Sequence, residues 1–372
     1  MLQIATKMYF RPGAPLNSTV HRAVLYTNRS FLLGHPDNAP VTLPIGELAP
    51  STGATPISTM TVSITDHLEA VRPNGEQEFL IATDGQDLFD DLGVVLSFAL
   101  NATFSRDRDL VHRLVPDRLD ERRRSAPSNL FRGTFDPMVL VTDEELAGLR
   151  QFMTQLLALQ RPHYEAAIKA IRRVVRAGQR AVEDPTVAYT DLVAALESLA
   201  KDGPVPEPSW SQLDGAKRNL IDAALMGAQP GFADRVRAAV IAAEHLGLGY
   251  RFAQFVMYRV SSAYFRQEAV GALRPIRRPD LLRAVKLAYN IRSRNVHTLW
   301  DMPAEAWVLN DRADTVSPGD LGTMLSLEGL ARLARHVIRG YVADAPTGVD
   351  PSFDWRADLP GIVRVRLQRL KG

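Results

Sequence analysis

An α+β N-terminal domain followed by a mainly α-helical region ending in a four-helix bundle is the architecture expected from this sequence. Short runs rich in β-branched and apolar residues, bounded by Gly, Pro, Asn or Asp, fall at 20–26, 59–65, 79–83 and 137–142. Beyond them, apolar residues recur at helical spacing in successive segments with short breaks. A Pro-rich stretch at 201–208 is the clearest linker. The chain therefore divides into an α+β domain at 1–141, a helical spacer at 142–203, a helical bundle at 209–345 and a C-terminal extension at 346–372.

Taken in order, the acidic run Asp84-Gly-Gln-Asp87, with Asp90 and Asp91 after it, opens a helix to about Leu100, since carboxylates favour a helix N-terminus. Its spacing lacks the alternating oxygen ligands of a calcium loop, and no metal is assigned. Thr142-Asp-Glu-Glu145 reads as a capping box opening a long helical stretch to about Arg180, apolar at Phe152, Leu156 and Leu159. Lys169, Arg172, Arg173 and Arg176 make its later part basic, a solvated face in preference to an RNA track. A further helix is expected at 189–200.

Four stripes follow the linker: Val236, Val240 and Ala243; Phe252, Val256, Val260 and Ala263; Leu281 to Arg294; and Leu327, Leu330, Ala334, Val337 and Tyr341. Four amphipathic helices with short connections read as a bundle. The aromatics Phe252, Phe255, Tyr258, Tyr264 and Phe265 are assigned to core or dimer packing ahead of base stacking.

With 372 residues, 46% of them hydrophobic, the chain can build substantial cores. It contains no cysteine, which removes disulfides, thiolate metal sites and cysteine nucleophiles from consideration and suits a reducing cytoplasm. No apolar run is long enough to span a bilayer, so a cytoplasmic protein without membrane partners is expected. A formal net charge of +2 confines any nucleic-acid affinity to local patches. Two patches stand out: Arg118 with Arg122, Arg123 and Arg124, and Arg274 with Arg277 and Arg278 just before the third stripe. There is no phosphate-binding Gly-x-x-x-x-Gly-Lys loop, no His-Glu-x-x-His and no Gly-x-Ser-x-Gly elbow.

The third stripe carries the chemistry. Leu281, Val285 and Ala288 recur on one face, and the next position on that face is Arg292. The opposite face, Arg283, Lys286, Asn290 and Arg294, is polar throughout, which assigns Arg294 to solvent and Arg292 to a packed surface. A buried guanidinium needs a partner, so Arg292 should face a carboxylate from elsewhere in the chain or a cleft that receives an anion. No Asp or Glu lies between Leu281 and Trp300. His297 would sit about 140° from Arg292 on a continuous helix, at ~100° per residue. Asn295 is therefore expected to close the helix in a left-handed conformation and return His297 to Arg292.

The string Tyr289-Asn-Ile-Arg-Ser-Arg-Asn-Val-His297 resembles the HEPN domains, whose signature is an arginine and a histidine with four to six residues between them at the end of a bundle helix. It is similar to the Apea-like HEPN branch at Tyr289, Arg292, Ser293, Val296 and His297. Thr298 stands where family members often carry glycine. Leu299 stands where a toxin branch has a tyrosine modified by a partner enzyme, so that control is not implied.

The resemblance implies a HEPN-like bundle, a homodimer through it, and a metal-independent endoribonuclease needing no cofactor, of the kind found in bacterial anti-phage defence and toxin effectors. His297 would move protons at the RNA 2′-hydroxyl and the leaving oxygen, and Arg292 would hold the phosphate. Ser293, Arg294, Asn295, Arg277 and Arg278 are the expected substrate-binding residues, and the N-terminal domain would receive a regulatory partner or trigger. The rival expectation is a non-catalytic module for dimerisation or for RNA or partner binding, with Arg292 paired to a buried carboxylate.

Overall fold

The N-terminal part is built on a long two-stranded ribbon. In the computed structural model, residues 2–8, 13, 16–31, 40–51, 57–69, 85–115, 131–136, 139–201, 209–213, 215–243, 248–307 and 313–349 are described. The strand expected at 79–83, the cluster at Arg118 to Arg124, most of the linker and the chain beyond 349 lie outside them. Strands β1 (Leu16–Thr27), β2 (Arg29–Ser30), β3 (Val41–Leu43), β4 (Gly46–Ser51) and β5 (Ser58–Glu69) precede helix α1 (Gln86–Leu100), strand β6 (Phe104–Ser105) and helix α2 (Arg108–Leu114). The sheet is antiparallel in the order β3-β4-β5-β1-β6. Met60, Val62 and Ile64 are buried at the period of two that a half-covered strand requires, and helix α1 belongs to the same core.

The end of α1 ties this part to the rest. Asn101 closes the helix in the left-handed conformation, φ 49°. Its last carbonyls take guanidinium donors: Arg29 donates to Leu100 O and Asn101 O, and Arg339 to Ala99 O at 2.6 Å. Cations suit the negative end of a helix.

Strand β7 (Val139–Leu140) pairs with β2, and it is all that the run at 137–142 contributes among the described residues. Helices α3 (Asp143–Ala158), α4 (Arg161–Arg180) and α5 (Pro185–Ala200) follow. The capping box at Thr142 and Glu145 is formed. The single helical stretch expected from 142 to 180 is interrupted, with extended backbone at Leu159 and Gln160 and Pro162 entering the first turn of α4. Residues after the last helix occupy the break: Gln160 N–H donates to Pro346 O at 2.9 Å and Gly348 N–H to Ala158 O at 2.8 Å.

Helices α6 (Gly215–Ala224), α7 (Pro230–Ala243), α8 (Leu248–Arg259), α9 (Ser262–Arg266) and α10 (Arg278–Thr298) lead to strands β8 (Thr315–Val316) and β9 (Met324–Leu325) and the final helix α11 (Leu327–Asp344). The bundle is not made from the four expected stripes. Helices α8, α10 and α11 take part, but among the described side chains of α7 Ala233 alone is buried, and α5 packs against α8, α10 and α11 instead. Helices α3, α4 and α5, within the stretch expected as a spacer at 142–203, thus belong to the core, and one hydrophobic cluster runs from Leu2 through the sheet to α11.

A buried polar knot fixes the segments around α11. Arg332 and Asp314 form an ion pair with side chains 2% and 0% exposed. Arg332 also donates to Tyr264 O at 2.7 Å and lies 3.9 Å above that ring, while Asp314 accepts from Ile276 N–H at 3.2 Å. Gly329 makes the approach of α11 to this segment feasible, because a Cβ there would stand 2.2 Å from Asp314 O. His336 accepts from Ser261 N–H at 3.1 Å and pairs with Glu268 at 2.8 Å.

Candidate functional site

Helix α10 presents two different faces, and both follow from its sequence. Leu281, Ala284, Val285, Ala288 and Ile291 are buried, whereas Arg283, Lys286, Asn290 and Arg294 are exposed. Arg294 therefore points to solvent, as its position on the polar stripe requires.

The helix does not end at Asn295. It continues unbroken to Thr298, and the left-handed residue is Leu299, with φ 54° and its N–H bonded to Asn295 O at 2.9 Å. Asn295 stays helical because its amide works across the turn. It donates to Trp300 O at 3.0 Å and accepts from Thr190 Oγ1 at 3.4 Å. Asn295 thereby anchors the helix end to α5 and does not serve as the expected hinge.

The extra turn separates the two motif residues. On a continuous helix His297 stands about 140° from Arg292, at ~100° per residue. Arg292 packs towards α5, where its Nη2 meets Glu197 Oε2 at 2.9 Å, with side chains 26% and 21% exposed. Its Nε is covered and has no hydrogen-bond partner. Tyr289, one turn earlier, packs against Phe252 at 5.3 Å, and burial, followed by the Glu197 charge, pushes its phenol up. Of the two settings expected for Arg292, the structure holds the carboxylate.

His297 is exposed and joins the other face. Arg283, Lys286, Asn290, Arg294 and His297 fall within about 80° of arc at ~100° per residue. Among the described residues, Arg283, Lys286 and Arg294 have no carboxylate partner. The result is a polar row ending in an imidazole.

The other expected substrate-binding residues are scattered. Ser293 is half-buried beside the row. Arg277 is engaged by Asp280 at 3.0 Å. Arg278 opens α10, roughly 28 Å from His297 at ~1.5 Å rise per residue, so neither reaches the histidine. The basic face of α4 is largely satisfied: Arg172 pairs with Asp91, Lys169 with Glu165 at 3.6 Å, and Arg173 and Arg180 with Asp191 at 3.9 and 3.4 Å. Asp90 pairs with Arg106 at 2.9 Å and Asp91 with Arg172, so these two carboxylates of α1 are committed to ion pairs. Phe252, Phe255 and Tyr264 are core residues, whereas Tyr258 is 81% exposed. Among the described residues, no three His, Asp or Glu side chains are grouped to hold a metal ion, and no helix is long and apolar enough to cross a membrane.

Sequence reasoning missed Glu197 and the cleft on the outer side of α10. Glu197 lies on α5, and nothing near Arg292 in the sequence points to it. The cleft, about 480 Å³, is walled by α10 and by Leu321 from the turn after β8. No protein-family model, curated protein or solved structure matches the chain.

Proposed function

We propose that this protein is a metal-independent endoribonuclease of HEPN type, acting as a homodimer. The observation that carries the reading is the exposed His297 at the end of a row whose cations, Arg283, Lys286 and Arg294, have no carboxylate partner among the described residues. It is supported by the resemblance of residues 289–297 to the HEPN motif. In the proposed reaction, His297 removes the proton from an RNA 2′-hydroxyl, the oxygen attacks the adjacent phosphorus, and the bond to the 5′-oxygen breaks. The products are a 2′,3′-cyclic phosphate and a 5′-hydroxyl. The second His297 of the dimer donates the proton that the leaving oxygen takes.

Arg292 stabilises the charge that builds on the phosphate. Within one chain the helix holds Arg292 and His297 on different faces, so this role requires Arg292 of the partner subunit, whose side chain is 26% exposed. A place in bacterial defence or toxin action rests on the family resemblance alone.

A second reading is favoured by the Arg292–Glu197 pair: a non-catalytic module in which Arg292 only holds α10 on α5. Purified wild type and His297→Ala, incubated with tRNA and total RNA, separate the two. Cleavage by wild type that is lost in the variant supports the nuclease. Equal cleavage by both removes His297 from the reaction.

A further inference from the structure

The cleft beside α10 combines features that one nucleotide would use. Its volume, about 480 Å³, is within the range of small-ligand sites. Leu282, Leu287 and Leu321 supply apolar walls, and Arg283, Lys286 and Asn290 supply the polar rim. The Arg283 guanidinium lies against Gly322: its Nη2 is 2.8 Å from where a Cβ there would stand, so the glycine leaves it room. Neither Arg283 nor Lys286 has a carboxylate partner among the described residues.

We propose that this cleft is a subsite for one nucleotide of single-stranded RNA. The base lies against Leu282, Leu287 and Leu321, Asn290 meets its polar edge, and Arg283 and Lys286 each hold one of the two flanking phosphates. The strand then follows the exposed row of α10 towards Arg294 and His297, because Arg283, Asn290 and His297 are seven residues apart and share a face. This inference rests on the reading of RNA as the ligand. It does not require His297 to be catalytic.

The test is fluorescence anisotropy with a labelled single-stranded oligonucleotide carrying 2′-O-methyl groups, which binds but offers no attacking hydroxyl. Wild type is compared with the double variant Arg283→Gln/Lys286→Gln and with Arg176→Gln, an exposed arginine on α4. The double variant should bind at least tenfold more weakly, with a salt dependence shallower by about 1.4 in log–log slope for two lost phosphate contacts. Arg176→Gln should bind as wild type does, and an abasic oligonucleotide of the same length should bind wild type more weakly.

Unchanged affinity and slope in the double variant, or no binding by wild type, would overturn the subsite. Equal affinity for the abasic strand would overturn the placement of the base. Cleavage of an unmodified RNA, followed in parallel, keeps the two claims apart. Binding without cleavage leaves the subsite standing and removes the nuclease. Cleavage with unaltered binding in the double variant does the reverse.

Discussion

Arg292 on α10 and Glu197 on α5 form an ion pair, 2.9 Å from Nη2 to Oε2, that joins two helices of the bundle. Each side chain is about three-quarters covered, so the pair is shielded enough to matter. The pair lies on the side of α10 that the buried Leu281, Val285 and Ala288 turn towards the core. With Arg292 turned inward, the polar row from Arg283 to His297 is turned out.

Removing one partner should therefore destabilise the protein. Arg292→Ala and Glu197→Gln are each expected to cost about 1–3 kcal/mol in urea unfolding, below the cost for a fully buried pair. The double variant should cost less than the sum of the two. Additive losses would show that the pair contributes nothing as a pair.

Gly329 gives a prediction of opposite sign to helix propensity. Exchanging glycine for alanine inside a helix ordinarily stabilises by about 1 kcal/mol. Here a Cβ would meet Asp314 O at 2.2 Å, so Gly329→Ala must push α11 away from the segment that carries the Arg332–Asp314 pair. A net loss of about 1–3 kcal/mol is expected in chemical denaturation. A stabilised variant would show that the contact yields easily.

Glu268 makes part of the stability pH-dependent. Burial raises its carboxyl, but the hydrogen bond from His336, with the charges of Arg332 and Arg335 behind it, outweighs burial and holds it below the ordinary carboxylate range. A depressed acid contributes stability that is present above its unfolded value, about 4.3, and is lost as pH falls through the folded value. Thermal melts of wild type and Glu268→Gln should therefore differ near neutrality and converge in strong acid. A gap that persists undiminished at low pH would assign the effect to something other than the ionised carboxylate.

Much of the helical framework was legible because local rules and packing agree. The capping box at Thr142, the acidic start of α1 and the apolar stripes of α10 and α11 all lie where helices form. The break at Leu159 and Gln160 was not, since its backbone partners, Pro346 and Gly348, come from the far side of α11. Helix α7 shows the limit of periodicity: Val236 and Val240 recur at helical spacing, yet neither is fully buried. Strands β3 and β4 are short and flanked by Pro and Gly, which hides them from a search for β-branched runs.

At the site, the split between Arg292 and Arg294 was readable from their faces, but the helix end was not. Asn295 has the composition of a helix terminator, yet bonds to Thr190 and Trp300 hold it inside α10. That one turn moves His297 from the side of Arg292 to the side of Arg283 and Asn290. The cleft depends on Leu321 arriving from another segment, which no local pattern in α10 records.

The most direct test of the central claim is the chemistry of the ends left when purified protein cuts RNA in EDTA. The account predicts fragments ending in 2′,3′-cyclic phosphate and beginning with 5′-hydroxyl, formed by wild type and absent with His297→Ala. Fragments that carry 5′-phosphates, or that persist undiminished in the His297 variant, would contradict it.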